Sequence, residues 1–181
     1  MSILKIYDDQ NPQQCQTITD FKQIYETLKP AGIIFERWAA GNEVALSASA
    51  EEILETYQKD IKRLKKEKGF LTADVISLNP ASPDIIALRA KFLDEHTHSE
   101  DEARFFIEGS GLFCIHLNNK VYALVCEKND LINVPAGTKH WFDMGPRPSF
   151  KCIRLFTNKE GWVAQYTGDK IGSKFPLYEN P

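Results

Sequence analysis

A basic excess, long apolar runs and paired cysteines are all missing from this 181-residue chain. Lys and Arg number 22 against 25 Asp and Glu, a net charge of −3. That balance lacks the basic footprint of a nucleic-acid partner. The one basic run, Lys62-Arg63-Leu64-Lys65-Lys66-Glu67-Lys68, shares a predicted helix with Glu51, Glu52, Glu55 and Asp60, so it reads as a solvated face. No apolar stretch approaches membrane-spanning length, so no membrane-spanning helix is expected. The opening Met1-Ser2-Ile3-Leu4-Lys5 lacks the pattern of a secretion signal, so a cytoplasmic chain is expected. Cys15, Cys114, Cys126 and Cys152 form no C-x-x-C pair, which fits reduced thiols. Histidine is scarce too, with four in the whole chain, and that scarcity makes the placement of three of them informative.

Hydrophobic content of 43% is ordinary for a globular protein, and the length allows a full core. In the first half, residues 3–7 and 33–38 read as strands, and residues 20–28 as a helix stopped by Pro30 and Gly32. Ser49 with Glu52 three residues on is a capping box. It opens a predicted helix whose apolar stripe is Ile53, Leu54, Tyr57, Ile61 and Leu64 and whose stop is Gly69. Residues 74–78 read as a strand and 84–88 as a short helical piece. Beyond Lys91 short apolar runs recur at 104–108, 112–117, 121–126, 131–134, 140–143 and 151–156, with turns at Asn118-Asn119, Lys128-Asn129-Asp130 and Pro135-Ala136-Gly137. Many short strands at close spacing indicate a sandwich or barrel. The expectation is one domain, residues 1–181: a mainly β barrel with helices from the N-terminal half.

His96-Thr97-His98, Glu102 and a distant His140 form the constellation that carries chemistry. Side chains two apart on a strand share a face, so His96 and His98 point the same way. A strand starting after the Pro135-Ala136-Gly137 turn could aim His140 at the same point. Imidazoles with one carboxylate suit a first-row transition metal better than Ca or Mg, which take all-oxygen shells. His-x-His alone is as readily a pair of surface polar residues. The full string, His96-x-His98-x-x-x-Glu102 with Gly109 and then Pro135-x-Gly137-x-x-His140, is far harder to reach by chance.

That string resembles the two cupin motifs, whose fold is a double-stranded β-helix or jelly roll. Three turn positions depart from the pattern: Ala90 and Asn129 stand where glycines are usual, and Met144 where an Asn is. None is a ligand. Within cupins, residues 91–106 and 133–143, with the later Ile153-Arg154-Leu155-Phe156 and Gly161-Trp162, resemble the acireductone dioxygenases over nearly the whole chain. The resemblance implies a metal-dependent oxidoreductase of methionine salvage, acting with O2 on a small-molecule substrate; a monomer is the expectation for the chain itself. It implies one Fe(II) or Ni(II) per chain, held by His96, His98, Glu102 and His140. It gives Arg104 the task of generating the substrate dianion, and ties Glu95 and Asp101 to metal incorporation and to local conformational change; as plain residues both read equally as solvated acids. Arg104 shares strand parity with Glu102, although an exposed Arg paired to a neighbouring acid is the alternative. Phe92, Phe105, Phe142 and Trp162 could line an apolar substrate pocket or belong to the core, Arg154 could add a second substrate contact, and His116 reads as structural. Another metal-dependent cupin enzyme, such as an isomerase or a different dioxygenase, and a non-catalytic metal-binding cupin stay open as alternatives.

Overall fold

The computed structural model describes residues 1–38, 44–45, 47–158 and 162–179. Gly161 therefore lies outside the described residues. In chain order the elements are β1 (Ile3–Asp8), β2 (Asn11–Ile18), α1 (Phe21–Leu28), β3 (Ile34–Arg37), α2 (Ala50–Thr56), α3 (Gln58–Lys68), β4 (Thr72–Leu78) and α4 (Ile85–Leu93). The second half adds β5 (His96–Thr97), β6 (Glu102–Leu117), β7 (Lys120–Glu127), β8 (Asp130–Val134), β9 (Lys139–Asp143), β10 (Phe150–Phe156) and β11 (Gln165–Tyr166). This is the expected mainly β architecture with helices from the N-terminal half. Among the described residues no helix is long and apolar enough to cross a membrane.

Every strand pairing is antiparallel, and β6 organises them. Its first half lies between β8 and β10, which continue to β3 and β4; its second half lies between β9 and β7, which continue to β5–β11 and to β1–β2. The runs 104–108 and 112–117, read from sequence as separate strands, are thus one strand of 16 residues that passes between two faces. The passage occurs where Ile107 is skipped in the pairing with β10 and Gly109 takes φ +71°. A bulge of this kind bends a strand and reverses its side-chain parity. Phe106 faces the central core before it; Phe113 and Ile115 face the same core after it. Gly109 is obligatory, because a Cβ there would sit 1.8 Å from the Ser149 carbonyl oxygen.

Three apolar clusters hold the layers together. The central one lies between the two faces and joins Leu4, Phe35, Phe106, Phe113, Leu124, Ile132, Phe142 and Phe150 with Ile24 and Leu28 of α1. The second covers the outer face of β6, β8 and β10 with α2 and α3, through Ile53, Tyr57, Ile61 and Leu64. The predicted stripe is therefore the buried one, but the single helix is two, since Tyr57 at φ −96°, ψ 13° breaks it. The capping box is present in full: Glu52 N–H donates to Ser49 Oγ and Ser49 N–H donates to Glu52 Oε2. The third cluster packs Ile171 and Phe175 of the C-terminal segment on Tyr7, Cys114 and Trp141. Cys114, Cys126 and Cys152 are buried and unbridged, whereas Cys15 is exposed.

Candidate metal centre

His96 opens β5 and faces His140 directly across the β5–β9 pair; Glu102 opens β6 one strand over. His98 lies between them in the β5–β6 loop. The four side chains are buried, and their donor atoms all lie within 4.8 Å of one another. His98 Nε2 stands 2.9 Å and His140 Nε2 3.1 Å from the same oxygen, Glu102 Oε2. Each imidazole is oriented from behind by a backbone carbonyl: His96 Nδ1 lies 2.7 Å from Asp94 O, His98 Nδ1 3.0 Å from Val163 O, and His140 Nδ1 2.8 Å from Thr138 O. An Nδ1–H that donates to a carbonyl leaves the Nε2 lone pair pointing inward. Lone pairs converging on a carboxylate oxygen at these distances repel unless a proton or cation lies among them. The donor set therefore fits a divalent transition metal.

For His96 and Glu102 the electrostatics favour the ligand forms, neutral imidazole and carboxylate. Burial, aided by neighbouring His140, lowers His96 to a pKa of about 4, so it is neutral at pH 7. Burial would raise Glu102, but the Arg104 cation and hydrogen bonds from His140 and His98 outweigh it and hold the carboxyl well below its ordinary value. Burial likewise opposes charging His98; the hydrogen bond and charge of Glu102 overcome it, and its pKa is raised.

A cavity of about 360 Å³ opens onto three of the four donors, His96, His98 and Glu102, with His140 adjoining them from outside its wall. Arg104 forms part of its wall and is 6% exposed, so it is not a surface arginine. Its Nε lies 2.8 Å from Glu102 Oε1, yet neither atom has a well-aligned hydrogen-bond partner; the pair attracts as charges and keeps hydrogen-bonding capacity in reserve. Aromatic rings hold the guanidinium from the sides, with centroids 4.7 Å (Phe142), 5.2 Å (Trp162) and 5.9 Å (Phe92) from Arg104 Cζ. These three rings and Arg154 also line the cavity.

Phe105 does not join them. The alternation that turns Glu102 and Arg104 inward turns Phe105 outward, where it stacks on Trp38 at 4.3 Å beneath Tyr57. Glu95 and Asp101 also lie off the cavity, and neither is simply solvated. Glu95 is 1% exposed; its carboxylate accepts from Thr167 Oγ1 and meets His116 Nδ1 at 2.7 Å, tying β11 to β5 directly behind His96. His116 continues to Asp9 at 3.2 Å, which is the structural role expected for it. Asp101 accepts from Asn133 Nδ2 and Ala136 N–H, pinning the β5–β6 loop to the turn before His140. Sequence reasoning missed Lys91, Val163, Ala164 and Tyr166, which complete the cavity wall. Tyr166 sits on a two-residue strand with no periodic signal; Lys91 belongs to α4, whose real span extends five residues past Leu88.

A buried three-histidine, one-carboxylate donor set on this mainly β, cupin-type fold fits a metal-binding cupin. The chain matches the model of the ARD/ARD' family over residues 3–164 and belongs to that family. It is 57% identical over 180 residues to an acireductone dioxygenase of Hahella chejuensis, covering 99% of this chain and 97% of the relative. It is 53% identical over 181 residues to the Pseudomonas aeruginosa (strain UCBPP-PA14) protein of the same name, covering 99% and 100%. A solved structure, acireductone dioxygenase from Bacillus anthracis with a cadmium ion in the active centre, superposes with a TM-score of 0.81 at 28% identity, covering 92% of this chain and 98% of that one.

Proposed function

We propose that this chain is an acireductone dioxygenase of methionine salvage, working as a single-domain monomer in the cytoplasm. Its substrate is 1,2-dihydroxy-3-keto-5-methylthiopentene, its co-substrate O2, and its cofactor one Fe(II) or Ni(II) held by His96, His98, Glu102 and His140. With iron the products are the 2-keto acid precursor of methionine and formate; with nickel they are methylthiopropionate, formate and carbon monoxide. One observation carries the reading. Four donors converge, and three of them, His96, His98 and Glu102, share a cavity with a desolvated arginine and a wall of aromatic rings. The metal, when bound, supplies Lewis acidity and a site at which an electron-rich enediolate and dioxygen meet.

The chain's own residues do the rest. Arg104 supplies a fixed positive charge in a site shielded from water, where it lowers the cost of the second ionisation of the substrate. Because Glu102 contacts it by charge alone, its N–H groups are available to the substrate oxygens. Phe92, Phe142 and Trp162 give the methylthio tail an apolar wall and exclude water from the anionic end. Glu95 and Asp101 act from outside the cavity by fixing the strands and loop that present the ligands.

The test is anaerobic mixing of iron- or nickel-loaded protein with acireductone, followed by air. Rapid, oxygen-dependent loss of the substrate chromophore is expected, with carbon monoxide from the nickel form only. Oxygen-independent loss would point to another cupin enzyme, such as an isomerase. Stoichiometric metal with no turnover would leave a non-catalytic metal-binding cupin.

A further inference from the structure

Two arginines stand side by side in this cavity, and only one has a buried counter-charge. Arg154 on β10 pairs directly with Arg104 on β6, and on its other side with Asp74 on β4. Asp74, Arg154 and Arg104 therefore form one row across three strands. Like charges directly opposite one another in a sheet repel. The repulsion is offset at both ends: Glu102 lies against Arg104, and Asp74 grips Arg154. The grip is a fork, with Arg154 Nε donating to Asp74 Oδ1 at 2.8 Å and Nη2 donating to Oδ2 at 2.6 Å. It occupies one edge of the planar guanidinium and leaves Nη1 on the opposite edge. The Trp162 ring serves both cations, 5.2 Å from Arg104 Cζ and 5.7 Å from Arg154 Cζ.

We propose that Asp74 is a positioning residue: its two-point grip holds Arg154 at the cavity wall beside Arg104, so that the site presents paired guanidiniums to a dianionic, two-oxygen substrate. The inference rests on the reaction proposed above for its substrate and on the strand register for its geometry. Arg154 and Asp74 are 27% and 47% exposed, so this ion pair contributes little to folding. A flexible arginine beside a second cation has every electrostatic reason to swing into solvent once Asp74 is removed. Asp74 touches neither the metal ligands nor the cavity, and its effect should fall on substrate capture.

The experiment compares wild type with Asp74→Ala, Asp74→Asn, Arg154→Ala and the Asp74→Ala/Arg154→Ala double variant, all metal-loaded. For Asp74→Ala we expect KM to rise about tenfold, as for loss of one hydrogen bond to a charged group, with kcat falling by less than about threefold. Asp74→Asn, which keeps one acceptor, should fall between. In the Arg154→Ala background the Asp74 change should add nothing, because the two act as a unit. Metal content and thermal midpoint should match wild type. Calorimetric titration with oxalate, a planar dianion that needs no turnover, should show the same loss of affinity in Asp74→Ala. Unchanged KM and unchanged oxalate affinity overturn the proposal, as does an Asp74 effect that persists at full size without Arg154. Wild type that binds oxalate but does not consume acireductone with oxygen removes the reaction assignment, while the oxalate series still decides the role of Asp74.

Discussion

Replacing Gly111 with alanine should damage the site without touching a ligand. The added Cβ would lie 2.4 Å from Phe142 Cζ and 2.5 Å from Cε2, against an ordinary carbon contact of about 3.5–4.0 Å. The backbone is not the obstacle, since Gly111 is not among the positive-φ residues. The ring must therefore move by about 1 Å to restore contact distance. It is only 2% exposed and is hemmed in by Phe113 at 4.9 Å and Phe150 at 5.8 Å, so the open direction is the cavity. Overpacking of this kind costs about 1–3 kcal/mol, which for a chain of this size lowers Tm by roughly 2–12 °C. The displaced ring also presses on Arg104, whose Cζ is 4.7 Å from its centroid. A misplacement of that order can lower kcat/KM by up to about a hundredfold. Metal content should stay stoichiometric. The assay is a melt, a metal analysis and a rate on one preparation, with Gly111→Ala/Phe142→Leu as the relieving variant. A Gly111→Ala protein that melts and turns over like wild type refutes the steric argument; so does a double variant that recovers nothing.

Four further outcomes follow from the same geometry. His140→Ala should weaken metal binding by an order of magnitude or more, about the least expected when a ligand is lost, seen as substoichiometric metal after dialysis. Arg104→Ala should retain metal but lose about 10²–10³-fold in kcat; a normal rate would remove Arg104 from the mechanism. Gly109→Ala should prevent soluble expression or cut stability by several kcal/mol, because both its φ and the Ser149 carbonyl forbid a Cβ. Burial raises the thiols of Cys114, Cys126 and Cys152, the last to about 12, so at pH 8 only about 10⁻⁴ of the Cys152 thiol is ionised. Alkylation of the native protein should therefore stop at Cys15 and reach all four cysteines only in denaturant; more than one fast thiol would contradict the burial.

The ligand quartet was legible because its spacing is local except at His140, and the turn Pro135-Ala136-Gly137 announces where that strand begins. Arg104 was legible through parity with Glu102, and the same parity, carried one residue on, would have excluded Phe105. β2 escaped notice because it is an edge strand of polar residues, Asn11-Pro12-Gln13-Gln14-Cys15-Gln16, held by pairing with β1 rather than by burial. The continuity of β6 escaped because Glu108-Gly109-Ser110-Gly111 has the composition of a turn, whereas Gly109 serves a bulge and Gly111 makes room for Phe142. The Asp74–Arg154 partnership depends on which strands are neighbours, a property of the sheet topology that no local pattern in β4 records.

The three carbonyls behind the histidines have a consequence for how the protein can change. Main-chain oxygens are supplied at Asp94, Thr138 and Val163 whatever side chain those positions carry. Ring orientation at the centre is thus insulated from substitution in the layer just outside it. Variation there can alter charge, access or wall shape while the cage survives, so a lineage can retune the chemistry of the cavity without rebuilding the ligand geometry.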